Sequence, residues 1–234
     1  MDIQNGIGII YEDNHLLVVE KPANVPVQAD ISHDPDLLSM LKKYLKDKYN
    51  KPGNVYLGMV HRLDRPVGGV MVFAKTSKAA SRLSEQIRSR KMEKTYLAVA
   101  KGSFETDGGT YRNYLLKNPD GNRVKVVPEG TPDSYEAILH YNVVGEQNGM
   151  TLLKINLITG RPHQIRVQLS YNGHPLVGDA KYGRAEQGFT DNLALWSHQL
   201  SFKHPVKDEI VNFTSTPPGG YPWILFTDSL RYSS

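Results

Sequence analysis

Cysteine is missing from the 234-residue chain. Disulfides, thiolate zinc sites, iron–sulfur clusters and cysteine nucleophiles are excluded together, and a reducing cytoplasm is the compartment that fits. Long apolar runs are missing too: none approaches the roughly 18 residues that a membrane-spanning helix needs. The opening Met1-Asp2-Ile3-Gln4-Asn5-Gly6 has neither the charged start nor the apolar core of a signal peptide. No membrane partner is therefore expected. No histidine pair stands at metalloprotease spacing, so nothing in the sequence asks for a metal. Neither an internal repeat nor a linker marks off a second domain, and residues 1–234 are read as one. What the chain does have is 39% hydrophobic residues, enough to bury a core. Its 28 Lys and Arg against 24 Asp and Glu leave a net charge of +4, a mild bias toward a polyanionic partner.

Residues 8–11 and 15–21 are strand-like and are joined by the turn formers Glu12-Asp13-Asn14. Between 36 and 49, Leu37, Leu38, Met40, Leu41, Tyr44 and Leu45 recur at helical spacing, with Lys42, Lys43, Lys46 and Lys48 mostly elsewhere on the wheel. This predicts an amphipathic helix with a solvated basic face. The apolar run 55–60 and the strand-like 70–75 flank His61-Arg62-Leu63-Asp64-Arg65-Pro66 and the glycines Gly68 and Gly69. A polar signature is thus held on a loop between two buried strands. Ser77 is placed to cap a helix reaching about Arg90, with Leu83 and Ile87 inward, and 96–100 return as strand. From Tyr111 to Thr159 strand follows strand, broken by turns at Asn118-Pro119-Asp120-Gly121, at 128–132 and at 146–149, an antiparallel block. A helix is then predicted with Pro162 in its first turn, carrying His163, Gln164, Ile165, Arg166, Gln168 and Leu169 and ending near Asn172-Gly173. The fold class expected is α+β.

Asp64 lies between Arg62 and Arg65 on a glycine-bordered loop, a common setting for catalytic groups. Taken alone, a surface ion pair or a turn-capping role is the readier account of it. Thr159-Gly160-Arg161-Pro162-His163-Gln164-Ile165-Arg166 gathers two arginines, a histidine and an amide at a helix N-terminus, a place suited to anions. His163 and Arg166 are three apart and are expected on one helical face. An ordinary charged helix start explains the same residues, and a tight turn explains Gly173-His174-Pro175-Leu176-Val177-Gly178-Asp179.

These stretches, with Phe73-Ala74-Lys75-Thr76 and Lys94-Thr95-Tyr96-Leu97-Ala98, resemble in order and spacing the RluA family of pseudouridine synthases. The resemblance runs from the first strands through Pro217. It implies a mixed, largely antiparallel central sheet with flanking helices, two sheet halves meeting at a cleft that binds RNA, and isomerisation of uridine without a cofactor. Asp64 corresponds to the aspartate that attacks the ribose, Tyr96 to the tyrosine that packs on the base and can receive the C5 proton, and Arg166 to the arginine that pairs with the aspartate. Arg62 corresponds to a residue that enters the RNA stack, and Ile165 to an aliphatic residue lining the pocket. His61, Arg65, Arg161, His163 and Gln164 fall in the same motifs and are expected to contact RNA. The chemistry agrees: exchanging an N1–C1′ for a C5–C1′ bond needs no redox change, and one carboxylate can add to C1′ or remove the C2′ proton. The target base has to be flipped out of the RNA. The backbone then needs cations, for which Arg82, Arg88, Arg90, Lys91, Lys94, Arg112, Arg123 and Lys125 are candidates.

The chain departs from many relatives where a threonine-serine-glycine run gives way to Val67-Gly68-Gly69. No S4-type RNA-binding domain is expected ahead of the first strand. The reading is a monomeric synthase acting on ribosomal RNA, transfer RNA or both; the rival is a non-catalytic RNA-binding or ribosome-assembly factor on the same scaffold.

Overall fold

A computed structural model describes residues 2–3, 6–118, 123–183 and 192–231. In chain order the strands are β1 Asp2–Ile3, β2 Ile7–Glu12, β3 Leu16–Lys21, β4 Gly58–Met59, β5 Gly68–Ala74, β6 Glu93–Lys101, β7 Gly108–Lys117, β8 Val124–Val127, β9 Tyr135–Gln147, β10 Met150–Leu157, β11 Leu195–Lys203 and β12 Ile210–Thr214. The helices are α1 Leu37–Lys48, α2 Ser77–Arg88, α3 Gln164–Tyr171 and α4 Thr227–Arg231, the last preceded by a 3-10 turn at Trp223–Phe226. The protein is α+β, and its registered strand pairs are antiparallel. The chain divides into two compact units, Met1–Glu93 with Ser197–Ser215, and Lys94–Trp196 with Thr216–Ser234.

In the first unit the strands run β1-β2-β3-β5-β11, with β4 beside β5 and β12 beside β11. Every residue of β5 is buried, and Leu16, Val18, Val70, Val72, Leu83 and Phe202 belong to one core cluster. Gly69 is required where it stands: its φ is +113° and an added Cβ would lie 2.2 Å from the Ser197 carbonyl oxygen. Helix α1 falls within the expected 36–49, and the structure adds its cap: the Asp36 carboxylate accepts from the Ser39 N–H. The cap of α2 is Thr76 and not Ser77: Thr76 has the extended backbone of a cap and its hydroxyl accepts from the Ala79 N–H, which makes Ser77 the first helical residue. That helix also stops at Arg88, and Arg90 turns left-handed with φ +58°. Of the apolar run 55–60 only Gly58 and Met59 pair as strand.

In the second unit the order is β6-β10-β9-β7-β8. The β9–β10 hairpin turns at Asn148 and Gly149, both with positive φ, as a two-residue turn between twisted strands demands. Three of the four residues expected to turn after β7, Pro119, Asp120 and Gly121, lie outside the described residues. Leu97, Val99, Leu152, Val177, Trp196 and Trp223 form the core on one face of β6. Helix α3 closes with Gly173 left-handed at φ +86°. His174 N–H reaches the Leu169 carbonyl at 2.9 Å and Gly173 N–H the Ser170 carbonyl at 3.1 Å, so two end carbonyls are satisfied and the chain turns sharply away.

Candidate active site

In the first unit, β3 delivers Lys21 to a fully buried position. Its Nζ donates to the carbonyl oxygens of Pro22 at 2.9 Å, Val25 at 2.7 Å and Arg65 at 3.0 Å. An ammonium group has three N–H bonds, and these carbonyls use all of them. Burial brings Lys21 down to about 7, with the charge of Asp64 acting to raise it and that of Arg65 to lower it. The Asp64 carbonyl accepts from Val67 N–H at 3.0 Å, closing a tight turn whose flanks, Leu63 and Val67, are buried. Asp64 is half-buried on this turn, which Lys21 holds through the Arg65 carbonyl and whose flanking Leu63 and Val67 are buried.

The neighbours of Asp64 take different parts. His61 Nε2 accepts from Val72 N–H at 3.1 Å, on an edge of β5 that β4 meets only at Phe73 and Ala74. With Nε2 as acceptor, a neutral ring carries its proton on Nδ1. Arg65 bonds the Asn24 carbonyl at 3.1 Å and the Ser32 hydroxyl at 3.0 Å, and pairs with Asp34 and Asp30. It straps residues 24–34 to the turn. Arg62 is exposed and makes no hydrogen bond or ion pair among the described residues.

In the second unit, Tyr96 sits on β6 opposite Ile155, 7% exposed. Period-2 alternation puts it on the face opposite Leu97 and Val99. The segment after β10 is fixed by Gln164, which is buried. Its Oε1 accepts from the Thr159 hydroxyl at 2.8 Å and from Arg161 N–H at 3.0 Å, and its Nε2 donates to the Ile138 carbonyl at 3.1 Å. The helix expected from Pro162 starts only at Gln164, because His163 adopts left-handed φ +53° and cannot begin a helical turn. The shared His163–Arg166 helical face is therefore absent. His163 instead meets the Tyr182 hydroxyl through Nδ1 at 2.6 Å. Arg161 Nε donates to the Glu136 carbonyl at 3.0 Å while its guanidinium lies 5.1 Å from the Tyr135 ring centre. Ile165 is buried.

Arg166 is held by Asp179 in a two-pronged pair, Nε to Oδ2 at 2.8 Å and Nη2 to Oδ1 at 2.7 Å. Burial acts to raise the Asp179 carboxyl, but the Arg166 bonds and charge, with the N–H groups of Tyr182 and Lys181, bring it below the usual carboxylate range. Gly178 makes this turn possible: at φ +74° its missing Cβ would lie 2.2 Å from the Asn192 carbonyl oxygen.

The profile of the RNA pseudouridylate synthase family matches residues 15–171. An uncharacterized RNA pseudouridine synthase of Aquifex aeolicus is 36% identical over 93% of this chain and 73% of its own length. The ribosomal large subunit pseudouridine synthase D of Pseudomonas aeruginosa is 34% identical, over 93% of this chain and 70% of its own. The chain belongs to the RluA family of RNA pseudouridine synthases. A human protein, RNA pseudouridylate synthase domain containing 4, shares the synthase's fold with a TM-score of 0.77 at 24% identity, covering 96% of this chain and 93% of that one. The motifs hold Asp64, Tyr96 and Arg166 but not Lys21 and Tyr182, and they gave Thr159 and Asp179 no supporting role. Asp179 did end one of the quoted motifs. Lys21, next to Pro22 at the end of an apolar strand, left only that faint signal, because burial of a lysine is a tertiary fact.

Proposed function

We propose that this RNA pseudouridine synthase isomerises uridines in structured ribosomal or transfer RNA, with Asp64 as its one catalytic carboxylate. Tyr96 packs on the uracil, and Arg166 is the cation that the family motif assigns to the carboxylate. The observation that carries the reading is the seat of Asp64: a half-buried carboxylate on a turn pinned by Lys21 and closed by Val67, with the exposed, unengaged Arg62 two residues before it. Such support fixes a reacting group before substrate arrives. In this reading Arg62 is the residue that enters the RNA stack.

In the reaction the N1–C1′ bond breaks as Asp64 adds to C1′ or takes the C2′ proton. The base turns within the site and C5 bonds to C1′ as the Asp64 oxygen leaves it or, on the glycal route, as Asp64 returns the proton to C2′. C5 then gives up its proton to the Tyr96 hydroxyl, which passes its own to water as N1 takes one from water, so the product is an isomer. Gln164 acts here as a brace for the Thr159–Arg161 segment. Arg161 and His163 stand at the RNA side of that segment, Ile165 lines the pocket, and His61 and Arg65 hold the Asp64 turn as well as border the RNA. The names of relatives from Pseudomonas aeruginosa and Buchnera aphidicola specify the large ribosomal subunit, which supports ribosomal RNA as the first class to examine. A cytoplasmic monomer is the form in which we expect it to act.

The test is release of tritium from [5-3H]uridine-labelled total RNA taken from cells lacking the gene. Wild-type protein should release tritium without freeing uracil, and pseudouridine mapping of the treated RNA should show the sites. Asp64→Asn should abolish release and still bind RNA. Unchanged turnover in that variant, or free uracil as the product, would sink the reading.

A further inference from the structure

Lys94, in the second unit, is a half-buried cation without a partner among the described residues. Lys94 begins the chain of that unit and, among the described residues, its ammonium makes no hydrogen bond or ion pair. Burial alone lowers its pKa, with no neighbouring charge contributing in either direction. Other shielded cations of this protein are satisfied: Lys21 by three carbonyls, Lys75 by Glu12 and the Asp13 carbonyl, Arg166 by Asp179. A partly buried charge without compensation costs stability. A fold that keeps one uncompensated has a cation waiting for an anion.

Its position says which anion. Lys94 and Tyr96 are two apart on β6, so their side chains leave the same face, with Cα atoms about 7 Å apart. The ammonium lies against Gly160, where an added Cβ would come within 3.2 Å of Nζ. Gly160 has no positive φ to explain it, so what its missing side chain leaves open is room for the lysine head. A nucleotide whose base rests on Tyr96 carries its own phosphate a ribose away, the same span that separates the two side chains. A uracil carbonyl would be a weaker partner, because one neutral acceptor offsets the burial of a cation less than a formal negative charge does.

We propose that Lys94, over the open backbone of Gly160, binds a backbone phosphate of the target nucleotide and so sets the height of the uridine against Tyr96. The proposal rests on the reading of Tyr96 as the base-contacting residue of an RNA synthase.

The experiment uses tritium release from the same labelled total RNA at subsaturating concentration across a KCl series, for wild type, Lys94→Met, Lys94→Arg and Gly160→Ala. One phosphate contact contributes about 0.7–0.9 to the slope of log affinity against log salt. Lys94→Met should lower kcat/KM by roughly 10- to 100-fold at low salt and flatten the slope of log kcat/KM by about that amount. Lys94→Arg should recover the slope. Gly160→Ala should weaken turnover by displacing the ammonium. The thermal midpoint of Lys94→Met should equal or exceed that of wild type, because an uncompensated charge has gone. A slope that does not change, or a lowered midpoint that accompanies the lost activity, overturns the phosphate assignment. No release by wild type would instead overturn the reading of the reaction on which it stands.

Discussion

Lys21 looks like the polar end of a strand in the sequence, and in the structure it carries the Asp64 turn. Its role follows from counting donors: three N–H bonds, three carbonyls, one of them Arg65's, in a position with no access to water. Lys21→Met keeps most of the volume and removes every donor, so three carbonyls are orphaned at a cost of about 1–3 kcal/mol each where no water can enter. The turn should shift. We expect kcat in tritium release to fall by about tenfold or more while KM changes little, since misplacing the proposed catalytic carboxylate acts on the chemical step. Equal kcat in the variant would mean that Leu63 and Val67 suffice to hold the turn. Arg62 and Arg65, two residues before and one after Asp64, were both expected to contact RNA and differ in space: Arg65 is tied to Asp30 and Asp34, whereas Arg62 is exposed and unengaged among the described residues. Sequence distance carries no information on which of two neighbouring side chains finds a partner.

Elements whose signal is local were legible: α1 with its apolar stripe, the β2–β3 hairpin, the β9–β10 turn at Asn148-Gly149. Elements whose ends are set by tertiary contacts were not. The start of α3 shifted to Gln164 because the Gln164 side chain binds Thr159 and Arg161, holding the preceding residues out of helical geometry with His163 left-handed. Pro162 and the polar run after it gave no hint of that. The same helix is locked on its other side by the turn ending at Asp179, where Arg166 and Asp179 form a buried pair. Removing one partner of such a pair strands the other charge, so Asp179→Ala should cost about 3–5 kcal/mol. Urea unfolding should show it as a lowered midpoint. A loss under about 1 kcal/mol would mean that Arg166 finds another counter-charge.

At the scale of the molecule, five ordered motifs made the family and the reaction legible, because motif order survives where the surrounding sequence has changed. The ties that hold the first unit together were not legible, and they make its stability depend on pH in two windows. Glu12, with a side chain 7% exposed, accepts from Lys48, Lys75, Tyr44 and Tyr49 and so joins β2 to α1 and to the end of β5. Burial acts to raise its pKa, but those four bonds prevail and bring it from 4.5 to about 2. Between these values the unfolded chain binds the proton and the folded one does not. Stability from Glu12 is therefore present above about pH 4.5 and lost as pH falls toward 2. Lys21 works with the same slope at the other end. Its pKa falls from 10.5 to about 7, so in that interval the unfolded chain again holds the extra proton; the burial penalty is full below pH 7 and is relieved as pH rises. Urea midpoints measured across pH should climb in both windows for wild type. Glu12→Gln should flatten the acid climb and leave the alkaline one, and Lys21→Met should do the reverse. A Lys21→Met profile that still climbs above pH 7 would place the alkaline titration on another group, and would mean that the three carbonyls keep the Lys21 ammonium charged throughout.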